Sequence, residues 1–428
     1  MTSERTRKAS LRALFGSASW YLSEKLVRLV GAFVVAAWMA RYLGPLQYGN
    51  FAFVLSVVTV LGFLGSWGVE SLVIRDIVQH PLRARQVVAT YFLMRLTGAL
   101  AVPVFAVLFL LFVHPGGHEL VWMALVLSSV CLFSAFDVAD CWLQASHQPR
   151  RTSLIRMTGF GVGAALKCGL IVGNGTLIWF ACAHALEAAC MAFAYRRVLR
   201  TNGIGISLDG WDQSEFQKLA IDGKWMILSG LTVVLYSKMD ILVVGATLSK
   251  EVLGHYAVAA SVYGAWNLLG MSLAQAYAPH VAAARASNAR DYIGVLRRFL
   301  LLMVGVSVSG SLVLGLLSES LFTALFGPEY LGSAHIFSIL IWSSMPVFLG
   351  IATSQIIVNE QLYAVSMLRT SLGLASSLAL MMPVASRYGV EGVAVVVVIS
   401  SVVATSALLF SRAARKILFA VFSPRAVI

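Results

Sequence analysis

Charged residues are scarce in this chain. Only 12% of its 428 residues are Asp, Glu, Lys or Arg, whereas hydrophobic residues make up 59% and the mean hydropathy is +0.83. A soluble domain carries about 25% charged residues. The shortage of charge excludes a soluble globular protein. It predicts an integral membrane protein that is embedded along nearly its whole length and has no room for a second, soluble domain.

Motifs for catalysis and metal binding are also missing from the sequence. It contains no Gly-x-x-x-x-Gly-Lys phosphate loop, no His-Glu-x-x-His pair and no Gly-x-Ser-x-Gly elbow. The five cysteines lie in apolar runs without a Cys-x-x-Cys pair, which is typical of small packing residues. We therefore predict no enzyme, no metal site and no bound cofactor.

Long hydrophobic runs are what the sequence has in abundance. A membrane-spanning helix needs about 20 apolar residues, and the sequence predicts twelve such helices. They cover residues 20–40, 48–69, 88–113, 119–142, 154–173, 176–195, 221–247, 253–278, 299–321, 333–355, 364–385 and 390–411. The first run contains three charged residues, so we expect a retained span rather than a cleaved signal peptide. The predicted fold is an all-α polytopic membrane protein.

The excess of basic residues, which gives a formal charge of +13, predicts the topology. With the N-terminus in the cytoplasm, most basic residues, including Arg156 and Arg369, fall on the cytoplasmic side, whereas Arg41, Lys250 and Arg387 fall on the other. This asymmetry places both termini in the cytoplasm. Because the basic residues do not cluster with aromatic residues on a soluble face, we expect no nucleic-acid partner.

The spans divide into two similar sets of six. We predict an N-terminal six-helix lobe (residues 1–195), a cytoplasmic linker (196–220) and a C-terminal six-helix lobe (221–428). Gly49-Asn50-Phe51 opens the second span and Gly254-His255-Tyr256 opens the eighth, and a proline-containing turn precedes both the fourth and the tenth span. Equivalent spans then share one orientation, which predicts two pseudo-symmetric lobes.

Five cations lie inside the predicted spans, where a charged side chain is costly unless it has a partner or reaches water. They are Lys25, Arg28, Arg95, Lys167 and Lys238. Long basic side chains near a helix end can instead extend to the interface, an explanation that suits Lys25 best. Together the five predict a cationic internal cavity that suits an anionic substrate.

Four acids also lie inside predicted spans. They are Glu24, Asp137, Asp140 and Asp240. Glu24 is four residues before Arg28, and Asp137 and Asp140 share one helix face, so both arrangements suit ion pairs with the cations. A role in coupling transport to a cation is the alternative interpretation of these acids.

One family resemblance emerges from the motif RYLGPLQYGNF at residues 41–51. It resembles the R-Y-L-G-P-x-x-Y-G-x-F signature of the Wzx-type polysaccharide flippases, which belong to the multidrug/oligosaccharidyl-lipid/polysaccharide (MOP) exporter superfamily. The segments YSKMD (236–240), VLGHY (252–256) and FGPEY (326–330) are similar to looser motifs of the same family. The resemblance extends over essentially the whole chain.

The resemblance implies a function and a location. Twelve helices in two lobes would surround a V-shaped cavity in the bacterial inner membrane. By alternating access, they would flip an undecaprenyl-diphosphate-linked oligosaccharide for O-antigen, capsule or exopolysaccharide synthesis. Arg28, Arg95, Lys167 and Lys238 would then bind the diphosphate and acidic sugars. Expected partners are the substrate, the lipid bilayer and polysaccharide polymerase or assembly proteins, with coupling to H⁺ or Na⁺ left open.

Three alternatives remain open from the sequence. A cation-coupled multidrug exporter would share the fold and use Asp137, Asp140 or Asp240. A lipid II flippase of the same superfamily often carries two additional spans. A membrane glycosyltransferase or polymerase would need a substantial loop with paired acids, which the sequence lacks.

Overall fold

The computed structural model describes residues 2–204, 211–287 and 289–422, and its described side chains begin at Val27. The described residues are 93% helical and contain no strand. The α-helices are α1 (Thr2–Ser66), α2 (Glu70–Gln79), α3 (Ala84–Val113), α4 (His118–Ser134), α5 (Val138–Ala145), α6 (Pro149–Val172), α7 (Leu177–Thr201), α8 (Gln213–Thr247), α9 (Lys250–Ser287), α10 (Ala289–Leu316), α11 (Ser318–Phe326), α12 (Leu331–Leu340), α13 (Ser344–Asn359), α14 (Tyr363–Ser406) and α15 (Arg412–Phe422).

Ten helical stretches within the described residues are long and apolar enough to cross a membrane. Two of them contain a glycine with non-helical dihedral angles, Gly44 in α1 (φ 72°) and Gly389 in α14 (φ 63°). Each glycine separates two helical segments, so the ten stretches hold the twelve segments that the hydrophobic runs predict. The prediction of an all-α polytopic membrane protein is confirmed.

The breaks inside α1 and α14 are shorter than the sequence suggests. Gaps in hydropathy at residues 41–47 and 386–389 predict connecting loops, but the helix bends at a single glycine in each case. Glycine adopts positive φ without the steric penalty of a side chain. Pro45 follows Gly44 at the start of a new helical segment, where a proline needs no hydrogen-bond donor.

The chain forms two compact units that do not follow its linear order. Unit 1 contains Met1–Tyr42 and Val54–Leu231, and unit 2 contains Leu43–Phe53 and Thr232–Ile428. Helix α1 therefore contributes a short internal segment to unit 2, and α8 passes from one unit to the other after Leu231. The predicted linker at 196–220 is helical up to Thr201 and again from Gln213, with residues 205–210 outside the described part.

Unit 1 is built on close helix pairs. Helix α3 packs against α4, and α7 packs against both α4 and α6. Gly98 of α3 lies so close to α1 that an added Cβ would stand 2.7 Å from the Cα of Gly65. Small residues permit such approaches between membrane helices. The core around this contact includes the buried side chains of Tyr91, Met94 and Val138.

The beginning of α8 is tied to unit 1 by polar contacts. The Asp212 carboxylate accepts hydrogen bonds from the Ser214 hydroxyl and backbone N–H (2.6 and 2.8 Å), which caps the helix. These bonds hold the pKa of Asp212 below its usual range. Gln86 of α3 donates to the same carboxylate at 2.6 Å. One turn further along α8, Lys218 pairs with the buried Asp76 of α2 at 2.9 Å.

Unit 2 packs around α9 and α13. Helix α9 contacts α10, α12 and α13, and α13 also contacts α14. The ring of Trp266 on α9 stacks on Phe348 of α13 with centroids 5.9 Å apart. Phe348 belongs to a buried cluster with Phe299 of α10 and Ala352 of α13.

The family-like motif of residues 41–51 serves this packing directly. Its Gly-Pro-x-x-Tyr-Gly portion lies in the segment Leu43–Phe53 of unit 2 and rests on the start of α9. A Cβ on Gly254 would overlap the Pro45 carbonyl, and one on Gly49 would meet the Gly254 backbone nitrogen at 2.7 Å. Tyr48 is buried and hydrogen bonded to Ser261 of α9. Gly49-Asn50-Phe51 and Gly254-His255-Tyr256, which the sequence pairs as equivalent positions, are therefore also in contact through their glycines.

Corresponding helices in the two halves share an interruption. A 3₁₀ turn at Ala135–Asp137 joins α4 to α5, and another at Ile341–Ser343 joins α12 to α13. The turns that precede α4 and α12 each contain a glycine with positive φ, Gly116 (88°) and Gly327 (100°). A 3₁₀ interruption inside a helix often marks a hinge or a functional position. The first interruption ends at Asp137, one of the predicted site residues.

The contact between Gly254 and Pro45 predicts a sharp sensitivity to side-chain volume. We expect Gly254→Ala to destabilise the protein by about 1–3 kcal/mol, because the new methyl group meets backbone that cannot rotate away. Gly264→Ala on the same helix is the matched control, since no atom lies within 4 Å of the place that its new methyl group would take. Thermal unfolding of the two purified variants in detergent measures the difference. Equal unfolding temperatures would show that the contact is loose.

Candidate functional site

Arg95 of α3 is the most deeply buried of the predicted cations whose side chains the structure describes. It is 4% exposed. Its guanidinium donates a hydrogen bond to the Glu70 carboxylate at 3.0 Å and lies 3.6 Å from Asp137. A further N–H donates to the Tyr91 hydroxyl at 3.3 Å. Glu70 and Asp137 are 58% and 42% exposed, so one buried cation joins two carboxylates that reach the surface of unit 1.

A second ion pair lies next to this group. Asp140 of α5 is 6% exposed and accepts a hydrogen bond from Arg156 of α6 at 2.6 Å. Gln144 donates to the same carboxylate oxygen at 3.0 Å. We call Glu70, Arg95, Asp137, Asp140 and Arg156 the Arg95 cluster. Its two cations and three acids give it a formal charge of −1.

Lys167 is held in a separate pair. Its ammonium group lies 2.8 Å from the Glu187 carboxylate of α7, and His184 lies 3.8 Å from the same oxygen. Both charged side chains are 15% exposed. Gly163, one turn before Lys167 on α6, leaves the space that the carboxylate occupies, because a Cβ there would overlap it. The glycine therefore has a local role in seating the ion pair.

Unit 2 contains the last of the predicted charges. The Asp240 carboxylate accepts hydrogen bonds from the Tyr256 hydroxyl of α9 and from the Ile241 backbone N–H, both at 2.8 Å. Lys238 is half-buried two residues away on α8. Asp240 is thus a satisfied carboxylate that links α8 to α9.

The charges of the first span are described only in part. Arg28 is half-buried on α1. The side chains of Glu24 and Lys25 lie outside the described part of the structure. The structure therefore brings Arg95 and Asp137 together, places Asp140 beside them, and separates Lys167 from this group by giving it Glu187 as a partner.

Three charged residues at these positions are not predicted from the sequence. Glu70 directly follows a predicted span and looks like a loop residue. Arg156 and Arg369 look like topological determinants in the count of basic residues. In the structure Arg156 pairs with Asp140, and Arg369 of α14 donates a hydrogen bond to the Gly350 carbonyl at 2.6 Å. The sequence does contain one indication of these roles. Both arginines lie within a predicted helix, where a side chain lies on a helix face rather than in a loop.

Among the described residues, no group of three or more His, Cys, Asp or Glu side chains could hold a metal ion. The arrangement is one of ion pairs rather than of a nucleophile and a base. Chemically, such pairs can exchange partners with an incoming anion or cation. They are suited to binding.

Glu187 and Gly163 generate a prediction about stability. We expect Gly163→Ala to displace the Glu187 carboxylate and to destabilise the protein as much as Glu187→Gln does, by about 1–3 kcal/mol, because each leaves Lys167 without its partner. The double variant should cost no more than either single one. Gly161→Ala, with open space at its Cβ, is the control. Additive losses in thermal unfolding would contradict this coupling.

The geometry of the Arg95 cluster predicts that neutralising its different members lowers the stability of the protein by unequal amounts. Arg95→Gln should destabilise the protein by about 1–3 kcal/mol, because two partly exposed carboxylates then lose their shared cation. Glu70→Gln should cost at most about 1 kcal/mol, since its side chain is largely exposed and Asp137 still balances Arg95. Unfolding temperatures in detergent give the ranking. A larger loss in the Glu70 variant would reverse this assignment of roles.

Comparison with solved structures places the fold. The chain has 16% identity to a multidrug resistance MATE family transporter of the MOP superfamily in an inward-facing conformation, with 94% of this chain and 98% of that chain covered and a TM-score of 0.71. The chain has 14% identity to the lipid II flippase MurJ in an inward closed conformation. The match covers 94% of this chain and 90% of that chain, with a TM-score of 0.74. The chain has 15% identity to a MOP superfamily transporter from Pyrococcus furiosus. The match covers 94% of this chain and 95% of that chain, with a TM-score of 0.58.

A second comparison addresses the sequence family. Residues 15–285 match the family described as polysaccharide biosynthesis protein. No curated protein matches the chain. The resemblance carried by the motif at residues 41–51 is confirmed for both family and fold. The chain is therefore a multi-pass membrane protein that belongs to the polysaccharide biosynthesis protein family and has the fold of the MOP superfamily.

Proposed function

We propose that this protein flips a lipid-linked oligosaccharide, carried on undecaprenyl diphosphate, across the bacterial inner membrane. The observation that carries the proposal is the family match over residues 15–285 in a chain with the MOP fold. The product would serve synthesis of O-antigen, capsule or exopolysaccharide. The mechanism is alternating access, with both termini in the cytoplasm.

The charge pattern supports an anionic headgroup. A diphosphate must leave water and pass through a region where unbalanced charge is costly, so cations along the path would replace its hydration. The proposed cations are Lys25, Arg28, Arg95, Lys167 and Lys238. The lipid tail stays in the bilayer and needs no dedicated pocket.

Two of these cations act by exchange of partners. Arg95 is balanced by Glu70 and Asp137, and Lys167 is balanced by Glu187. A diphosphate reaches Arg95 most readily by displacing Glu70, whose carboxylate is the more exposed of the two. Release of the substrate lets the acid return, so the cation is never left without a negative partner.

The Arg95 cluster also supports coupling to a cation. Its formal charge of −1 is neutralised by one H⁺ or Na⁺, and Asp137 and Asp140 are the acids we assign to this role. Binding of the cation would weaken the hold of the acids on Arg95 and favour the substrate. Asp240 is bonded within unit 2 and is the second coupling candidate. Polymerase or assembly proteins that receive the flipped unit are the expected protein partners.

A cation-coupled multidrug exporter is the second candidate function. The same negative charge of the Arg95 cluster favours it, since an acidic group suits a cationic drug. It fits the family match less well, because the family is one of polysaccharide biosynthesis.

Deletion of the gene separates these functions. We expect the mutant to accumulate a complete lipid-linked repeat unit in the cytoplasmic leaflet and to lose surface polysaccharide, because assembly continues while translocation stops. Extraction of lipid-linked sugars with mass spectrometry, together with surface staining, measures both. The control is the same strain carrying the wild-type gene on a plasmid.

The opposite pattern contradicts the flippase. Normal surface polysaccharide combined with increased sensitivity to cationic drugs would assign the protein to multidrug export. Accumulation of an incomplete repeat unit would instead point to a biosynthetic step before translocation.

A further inference from the structure

The cations inside the spans have partners of different kinds. Arg95 has two carboxylates within 3.6 Å, Arg156 has Asp140, and Lys167 has Glu187. Arg369 of α14 has a neutral partner, the backbone carbonyl of Gly350. No carboxylate lies within ion-pair distance of Arg369 among the side chains that the structure describes. Its positive charge is therefore not compensated within that part of the chain.

The position of Arg369 makes this imbalance significant. It lies six residues into α14, about 9 Å along the helix from Tyr363. The guanidinium is half-buried and rests on α13, where its Nη1 donates to the Gly350 oxygen at 2.6 Å. A guanidinium without an acidic partner within a span is held by polar groups or water, and it attracts any anion that reaches it.

Hydrogen-bond donors remain for such an anion. A guanidinium has five N–H groups in a planar fork, and the described residues provide one acceptor, the Gly350 carbonyl. Gly373 lies one turn further along α14 and shares a helix face with Arg369. The ring of Tyr236 of α8 lies against Gly373, where an added Cβ would stand 3.0 Å from the ring. The phenol of Tyr236 therefore lies on the same side of α14 as the guanidinium.

We propose that Arg369 and Tyr236 form a binding site for the diphosphate of the lipid-linked substrate, an assignment that rests on the proposed function. A planar guanidinium binds two phosphate oxygens in parallel, which a point charge does not. The site needs no displaced carboxylate, in contrast to Arg95 and Lys167. It therefore attracts the diphosphate at all times in unit 2. The paired cations of unit 1, in contrast, bind the diphosphate only when their acidic partners move away.

Direct binding to purified full-length protein tests the site. The probe is farnesyl diphosphate, a short prenyl diphosphate, with farnesol to measure the contribution of the tail and glucuronic acid to represent acidic sugars. The variants are Arg369→Gln and Arg369→Lys. Arg387→Gln is the matched control, because Arg387 is an exposed arginine on the same helix. Titration calorimetry in detergent gives the dissociation constants.

We expect Arg369→Gln to weaken binding of farnesyl diphosphate by about tenfold or more, because a charge-assisted hydrogen bond contributes on the order of one to two factors of ten. Arg369→Lys should lie between this variant and the wild type, since it keeps the charge and loses the fork. Arg387→Gln should bind as the wild type does. Binding of farnesol should not change in any variant.

Two results overturn the inference in distinguishable ways. If the wild type binds farnesyl diphosphate and Arg369→Gln binds it equally well, the site is wrong and the proposed function stands. If Arg369→Gln affects only glucuronic acid, the site recognises a sugar acid and the diphosphate assignment is wrong. If the wild type binds no prenyl diphosphate, both the inference and the proposed substrate fail.

A measurement on the wild type keeps the test valid if Arg369→Gln does not fold. Phenylglyoxal modifies accessible arginines, and mass spectrometry of the peptides quantifies each position. Farnesyl diphosphate should protect Arg369 and leave Arg387 reactive. Equal modification of Arg369 with and without the probe would contradict the proposal.

Discussion

The structure depends on the cost of placing charge in hydrocarbon. Each charged side chain within a span needs a partner of opposite charge, a polar neighbour or contact with water. Arg95 satisfies this requirement with two acids and Lys167 with one, and Asp240 is satisfied by a tyrosine and a backbone N–H. The same requirement sets how the protein can act, since a substrate or a coupling ion must replace partners that are already present.

Close backbone contacts complement these pairs. Gly98 meets Gly65 in unit 1, and Gly254 meets Pro45 in unit 2. Association of helices in lipid depends on packing and polar contacts, because there is no water to drive apolar surfaces together. The Gly254 contact gives a physical reason for the spacing of glycine, proline and tyrosine within residues 41–51. That motif identifies the family, and its physical role here is to hold a segment of α1 within unit 2.

The units exchange chain segments in a way that links the ion pairs to the fold. Near its start, helix α8 carries Lys218, which binds Asp76 of unit 1. Nearer its end, the same helix carries Asp240, which binds Tyr256 of unit 2. A single helix thus carries one polar anchor in each unit.

Hydropathy by itself determines that the chain spans the membrane and how many helical segments it has, because the length of a span follows from the thickness of the bilayer. The motif at residues 41–51 identifies the family. Only the tertiary structure decides the partners of the charges. Glu70 looks like a loop residue, Arg156 looks like a topological determinant, and Glu187 does not stand out as the partner of Lys167. Ion pairs depend on side chains that the fold brings together from distant helices. Arg369 acquires its significance in the same way, since only the packed helices show that no described acid lies beside it.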